Sequence, residues 1–140
     1  MKRNTAEQFF FYRDDHIDAS LDAIKRHLQP QMQALGVSDV TNRPVIMAAL
    51  RETAQNLSEL DWTLYLGDYM VASNTYRRSA TFLDSDSVRL IKDIQRHIRS
   101  TPPPTSIKKG KKAPLMMCVY VAIRFAAERF SAGEPNEAVA

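Results

Sequence analysis

The side chains best suited to metal binding or nucleophilic chemistry are three histidines and one cysteine: His16, His27, His97 and Cys118. Their spacing builds no site. The histidines do not form a ligand pattern with the cysteine, and no nucleophile has a partnered base. Cys118 lies inside the apolar run 113–123, where a thiol acts as a small hydrophobe. His27 and His97 each follow an arginine, Arg26 and Arg96, and read as surface or packing residues. The acidic pairs near Asp14 and Asp84 stand at the head of amphipathic stretches. A carboxylate there accepts free first-turn N–H groups and suits the positive helix end. Four glycines leave little room for a phosphate-cradling loop. The expectation is therefore no catalytic centre, no metal and no cofactor. What remains is basic: Arg77-Arg78 and Lys108-Lys109-Gly110-Lys111-Lys112, on a chain of net charge +3. Clusters of this kind suit a polyanion.

The elements that must position these clusters occur twice. Phe10-Phe11-Tyr12-Arg13-Asp14 runs into a helical pattern ending Ile24-Lys25-Arg26-His27-Leu28, and Ala80 to Asp84 runs into Ile94-Gln95-Arg96-His97-Ile98. A shift of 70 residues brings Asp14 onto Asp84, Ile24 onto Ile94, Arg26-His27 onto Arg96-His97, Pro44 onto Pro114 and Met47 onto Met117. No gap is needed, and the matches sit on periodic positions and helix starts, as an internal duplication requires.

Each copy reads as strand, helix, helix. In the first, the aromatic stretch 8–13 favours a strand, and Ile17, Leu21, Ile24 and Leu28 recur at helical spacing. Pro30 should kink or end that helix, and Leu35-Gly36 closes it. Thr41-Asn42 caps a second helix over Val45 to Leu60, with Pro44 in its first turn. The second copy begins near Arg78. Its first helix buries Val88, Ile91, Ile94 and Ile98 and stops at Thr101-Pro102-Pro103-Pro104. Pro114 opens a last helix that is apolar on nearly all sides through Ala122, the mark of a central helix. Between the copies, Trp62, Leu64, Tyr65, Leu66, Tyr69, Met70 and Val71 are too apolar to leave in water. That connector should pack on the core, partly helical, broken at Gly67 and turning at Ser73-Asn74-Thr75. The resulting division is a loose arm (1–7), a first unit (8–60), a packed connector (61–77), a second unit (78–130) and a disordered tail (131–140), all in one compact domain. A lone strand leaves its edge unpaired, so the two strands should pair antiparallel about a pseudo-two-fold axis above four helices. The fold class expected is mainly α with a short two-stranded β-ribbon.

This order of elements, over about 8–60 and 78–130, resembles the ribbon-helix-helix DNA-binding superfamily, the class of the Arc and Met repressors. Two units in one chain are similar to the fused form in VirC-type accessory proteins of T-DNA transfer. The resemblance implies a tandem ribbon-helix-helix pseudo-dimer. It also implies a ribbon in the major groove, where each base pair displays a distinct pattern. If Phe10, Tyr12, Ala80 and Phe82 face the core, then Phe11, Arg13, Ser79 and Thr81 face the bases; a slip of one residue inverts this assignment. Phosphate contacts are expected at the N-termini of the second helices. Thr41, Asn42 and Arg43 stand there in the first copy and Lys111 and Lys112 in the second, with Arg77, Arg78, Lys108 and Lys109 nearby. The strands differ, so the DNA site should be asymmetric.

The function implied is an accessory factor in plasmid or T-DNA processing, assisting a relaxase or a partitioning-type ATPase. A repressor or antitoxin of the same class, or a helical protein-interaction module without DNA, is the alternative. The pseudo-dimer is expected as a monomeric chain, with further association on DNA left open. A single cysteine allows no disulfide within the chain and fits a reducing compartment. The N-terminal residues lack a signal-peptide core, and the run 113–123 is too short to span a bilayer. The chain is expected in the cytoplasm.

Overall fold

Each strand of the protein hands its chain directly to a helix, and the side chain at each handover is an aspartate. A computed structural model describes residues 7–75, 77–100 and 114–132. Strand β1 (Glu7–Tyr12) pairs antiparallel with β2 (Arg78–Leu83) in a two-stranded sheet. Asp14 precedes α1 (Asp15–Ala34), and its Oδ1 accepts the Ile17 N–H at 2.7 Å. Asp84 precedes α4 (Ser85–Ser100), and its Oδ1 accepts the Ser87 N–H at 2.8 Å. Two positions 70 residues apart thus do the same work, satisfying donors that a helix start leaves free.

Helix α2 (Asn42–Ala54) follows Thr41, and after a connector α3 (Leu66–Thr75) leads into β2. Helix α5 (Leu115–Ala132) follows Pro114, whose carbonyl accepts from the N–H groups of Met117 and Cys118. Every residue from Met117 to Ile123 is buried, so α5 is central, as its all-round apolar sequence requires. It packs on α1, α2, α4 and β1, while α2 packs on α4 and β2. One contiguous core results, with Phe11, Ile17, Ile24, Ile46, Leu50, Leu83, Ile91, Ile94 and Tyr120 sealed from solvent. Thr53 joins it by donating its hydroxyl to the Ala49 carbonyl at 2.8 Å. Burial of the Cys118 thiol pushes its pKa up to about 12, which leaves it un-ionised.

Several expected boundaries move. Helix α1 runs through Pro30 to Ala34, because Leu28 and Met32 on either side of the proline both pack against the core while Pro30 is exposed. It is closed off by Gly36, two residues beyond, whose φ of +83° no side chain adopts readily; the Val37 N–H closes onto the Met32 carbonyl at 2.8 Å. Helix α2 stops at Ala54 rather than Leu60. The Asn56 side chain donates to the Glu52 carbonyl at 2.7 Å and so competes with the helical pattern, and a 3-10 turn at Leu57–Glu59 follows.

The connector is a 3-10 turn (Trp62–Tyr65) continued by α3. Gly67 and Ser73-Asn74-Thr75 lie inside α3 instead of breaking it. Trp62, Tyr65 and Tyr69 are buried as expected, and Ala72 with them, which stabilises the helix past its glycine. Leu64, Met70 and Val71 were expected in the core and are exposed; the connector is a single layer and can bury only one side. Arg124 of α5 ties it down. Its guanidinium donates to Asp68 at 3.0 Å and to the Tyr120 hydroxyl at 3.3 Å, and lies over the Tyr65 ring. Tyr65 in turn donates to Glu128 at 2.7 Å, and Tyr120 to Asp14 at 2.7 Å. Desolvation, reinforced by these carboxylate acceptors, raises the pKa of both tyrosines far above the ordinary phenol value. Glu7, expected in the loose arm, opens β1, and Ser131 and Ala132, expected in the disordered tail, close α5; residues 1–6, the stop at 101–104, the basic run 108–112 and residues 133–140 lie outside the described residues. No described helix is long and apolar enough to cross a membrane.

The Asp84 cap gives a pH signature. The Ser87 N–H, the Ser87 hydroxyl and the charge of Arg43 hold the Asp84 carboxyl below its usual range. A lowered folded value means that the carboxylate stabilises the fold above about pH 4, and that this contribution fades as pH falls through the folded value. Asp84→Ala is expected to lose about 1 kcal/mol near neutrality. Asp84→Asn keeps a capping oxygen and should lose less, with a flatter acid limb. Urea unfolding from pH 7 to pH 2 checks both.

Candidate nucleic-acid interface

The ribbon has two faces, and side chains alternate between them. The register pairs Glu7 with Leu83, Gln8 with Phe82, Phe9 with Thr81, Phe10 with Ala80, Phe11 with Ser79 and Tyr12 with Arg78. Phe9, Phe11, Thr81 and Leu83 are buried against the helices. Gln8, Phe10, Arg78, Ala80 and Phe82 are exposed. Phe82 keeps 52% of its surface and Phe10 36%, both large for phenylalanine. Tyr12 shares their side but is half-buried, its ring edge-on to Tyr69 of α3 at 5.7 Å.

This is the inverse of the expected assignment. Phe11 and Thr81 point inward and are covered by protein, so in this fold neither can reach a base. Ser79 is half-buried on the same inner side. Arg13 is engaged as well: its Nε and Nη2 both donate to Asp18 Oδ1, at 3.0 and 2.7 Å. The physical reason is volume. On the inner side Phe9 and Phe11 of β1 oppose the small Thr81 and Ser79 of β2. The opposite choice would crowd Phe10, Tyr12 and Phe82 into one layer. The signal available in the sequence was Leu83, just before the Asp84 cap. It is fully buried, and parity then carries Thr81 inward and, through the repeat, Phe11.

The residues expected at phosphates divide in three. Arg77 and Arg78 are exposed at one end of the ribbon, and the Arg78 guanidinium lies 4.8 Å from the centroid of the Phe10 ring, along the outer face. Thr41 and Arg43 are exposed and Asn42 half-exposed at the start of α2; Thr41 occupies the cap position without a side-chain cap bond. Lys108, Lys109, Lys111 and Lys112 fall outside the described residues. Among the described residues, no group of three histidine, cysteine, aspartate or glutamate side chains could hold a metal ion. His27 stacks on Phe130 with ring centroids 4.1 Å apart, and His16 lies 3.7 Å from Asp68.

The inverted ribbon makes a direct prediction about stability. Phe11→Ala should cost about 3–5 kcal/mol, as for other buried phenylalanines, while Phe82→Ala should stay within roughly 1 kcal/mol. Denaturant titration of the two variants separates them; a larger loss for Phe82→Ala than for Phe11→Ala would put the faces the other way round. No protein-family model, curated protein or solved structure significantly matches this chain.

Proposed function

We propose that this chain is a sequence-preferring double-stranded DNA-binding protein that lays the outer face of its β1–β2 ribbon in the major groove. The observation that carries the reading is an exposed two-stranded ribbon face, Gln8, Phe10, Ala80 and Phe82, bordered by Arg77 and Arg78. A groove about 12 Å wide accepts such a ribbon, and β-ribbon readers dock in this way. Arg43 at the start of α2, Arg77 and the lysine run 108–112 would supply the phosphate contacts, which position the ribbon without reading sequence.

In this reading the chain is a ribbon-helix-helix pseudo-dimer. Three features support it. The ribbon is centred on Phe10 opposite Ala80, two positions separated by the repeat offset of 70 residues. The caps Asp14 and Asp84 are related by the same offset. The helices exchange partners between units, α1 packing on α5 and α2 on α4, with α2 against α5 at the centre. The fused form carries the more specific proposal of a non-enzymatic accessory factor in plasmid or T-DNA processing, working beside a relaxase or a partitioning-type ATPase. That role rests on the resemblance of the chain to fused ribbon-helix-helix proteins.

Two exposed phenylalanines on one ribbon face favour a second reading, a protein-interaction surface without DNA. A duplex-DNA titration at several salt concentrations decides between them. DNA binding predicts affinity that falls steeply with salt as counterions are released. Lys111→Ala/Lys112→Ala should then weaken binding on every sequence and reduce the salt slope by about 2. Absence of duplex binding at low salt, in a folded chain, would leave the protein-interaction reading.

A further inference from the structure

The two ends of the ribbon carry different chemistry, and the register says which residues share an end. Gln8 pairs with Phe82 at one end, and Arg78 pairs with Tyr12 at the other. Under the repeat offset Gln8 and Arg78 are equivalent positions, and Phe10 and Ala80 lie together at the centre. The equivalents Tyr12 and Phe82 also differ, because Tyr12 is half-covered by Tyr69 while Phe82 is exposed. Arg78 is held along the outer face by the Phe10 ring, 4.8 Å from its guanidinium, which limits where its donors can point.

We infer that the ribbon reads a polar site, with an A·T pair under the Gln8–Phe82 end and a G·C pair under the Arg78 end. This inference rests on the DNA-binding reading above and names the base chemistry of that surface. Glutamine matches the N6 and N7 edge of adenine, and a phenylalanine ring suits the thymine methyl, so Gln8 and Phe82 together fit A·T. Arginine matches guanine O6 and N7. Gln8 and Arg78 stand four residues apart along the ribbon, since Arg78 lies opposite Tyr12. At about 3.3 Å per strand residue and 3.4 Å per base pair, the two readings fall roughly four base pairs apart. The centre, where Phe10 and Ala80 offer no hydrogen-bonding group, selects only for thymine methyls.

Selection from random duplex DNA tests this on the full chain and on Gln8→Ala, Arg78→Ala and Gln8→Arg, all at exposed positions. The parent should enrich a non-palindromic site. Arg78→Ala should lose the guanine preference, roughly ten-fold or more in relative affinity at that position, and leave the A·T end intact. Gln8→Ala should do the converse, and Gln8→Arg should enrich guanine at both ends. A palindromic parental site, or variants that weaken binding without changing base preference, would overturn the polar site and leave DNA binding standing. No enrichment over random DNA, with every variant folded, would remove the DNA-binding reading itself.

Discussion

Among the described residues, neither strand of this protein has any partner but the other. Six residues of β1 and six of β2, far apart in the chain, pair the backbone groups that each turns toward the other. A two-stranded ribbon alone is marginal in water, so the pairing survives only because its inner face is sealed by helices. The reverse also holds. Phe9, Phe11 and Leu83 cap the helical core from above, and Asp14 and Asp84 start α1 and α4 where the strands end. Ribbon and helices form one cooperative unit, because each buries what the other leaves unpaired.

Helix α5 is the element against which this unit is assembled. Its apolar run meets helices from both halves, and its later turns carry the polar groups that fasten the connector. Tyr120 reaches the cap of α1 through Asp14, and Arg124 reaches α3 through Asp68. Burial opposes the Arg124 charge, but its hydrogen bonds to Asp68 and Tyr120 outweigh that and hold it protonated. The position 70 residues before Tyr120 is Leu50, which is buried and has no hydroxyl. The two halves therefore share caps and periodicity but differ in polar wiring. The connector, present once, locks only one side, and it covers Tyr12 while the equivalent Phe82 stays open.

That difference bears on the proposed DNA reading. A strictly repeated ribbon would present the same residues twice about its centre. Here Gln8 stands where its counterpart is Arg78, and Phe10 where its counterpart is Ala80. The inner positions differ between the strands as well, with large Phe9 and Phe11 lying over small Thr81 and Ser79. Unlike strands thus pack complementarily inside and present an asymmetric surface outside.

Much of this was legible in the residues. Helical spacing at Ile17, Leu21 and Ile24, the all-round apolar run after Pro114, the glycine at 36 and the two capping aspartates specify local structure by local means, through side-chain period and first-turn hydrogen bonds. The facing of the ribbon was barely legible, Leu83 before the Asp84 cap being its one signal. Phe9, Phe10, Phe11 and Tyr12 are apolar at both parities, so hydrophobicity cannot choose between them, and in β2 it favours Ala80 and Phe82 over Ser79 and Thr81. The choice depends on what lies across the strand pair and beneath it. Only the tertiary structure brings Phe9 over Thr81, Phe11 over Ser79 and Leu83 onto the helices, because side-chain volume is matched across the strand pair, between residues far apart in the chain, and not along either strand.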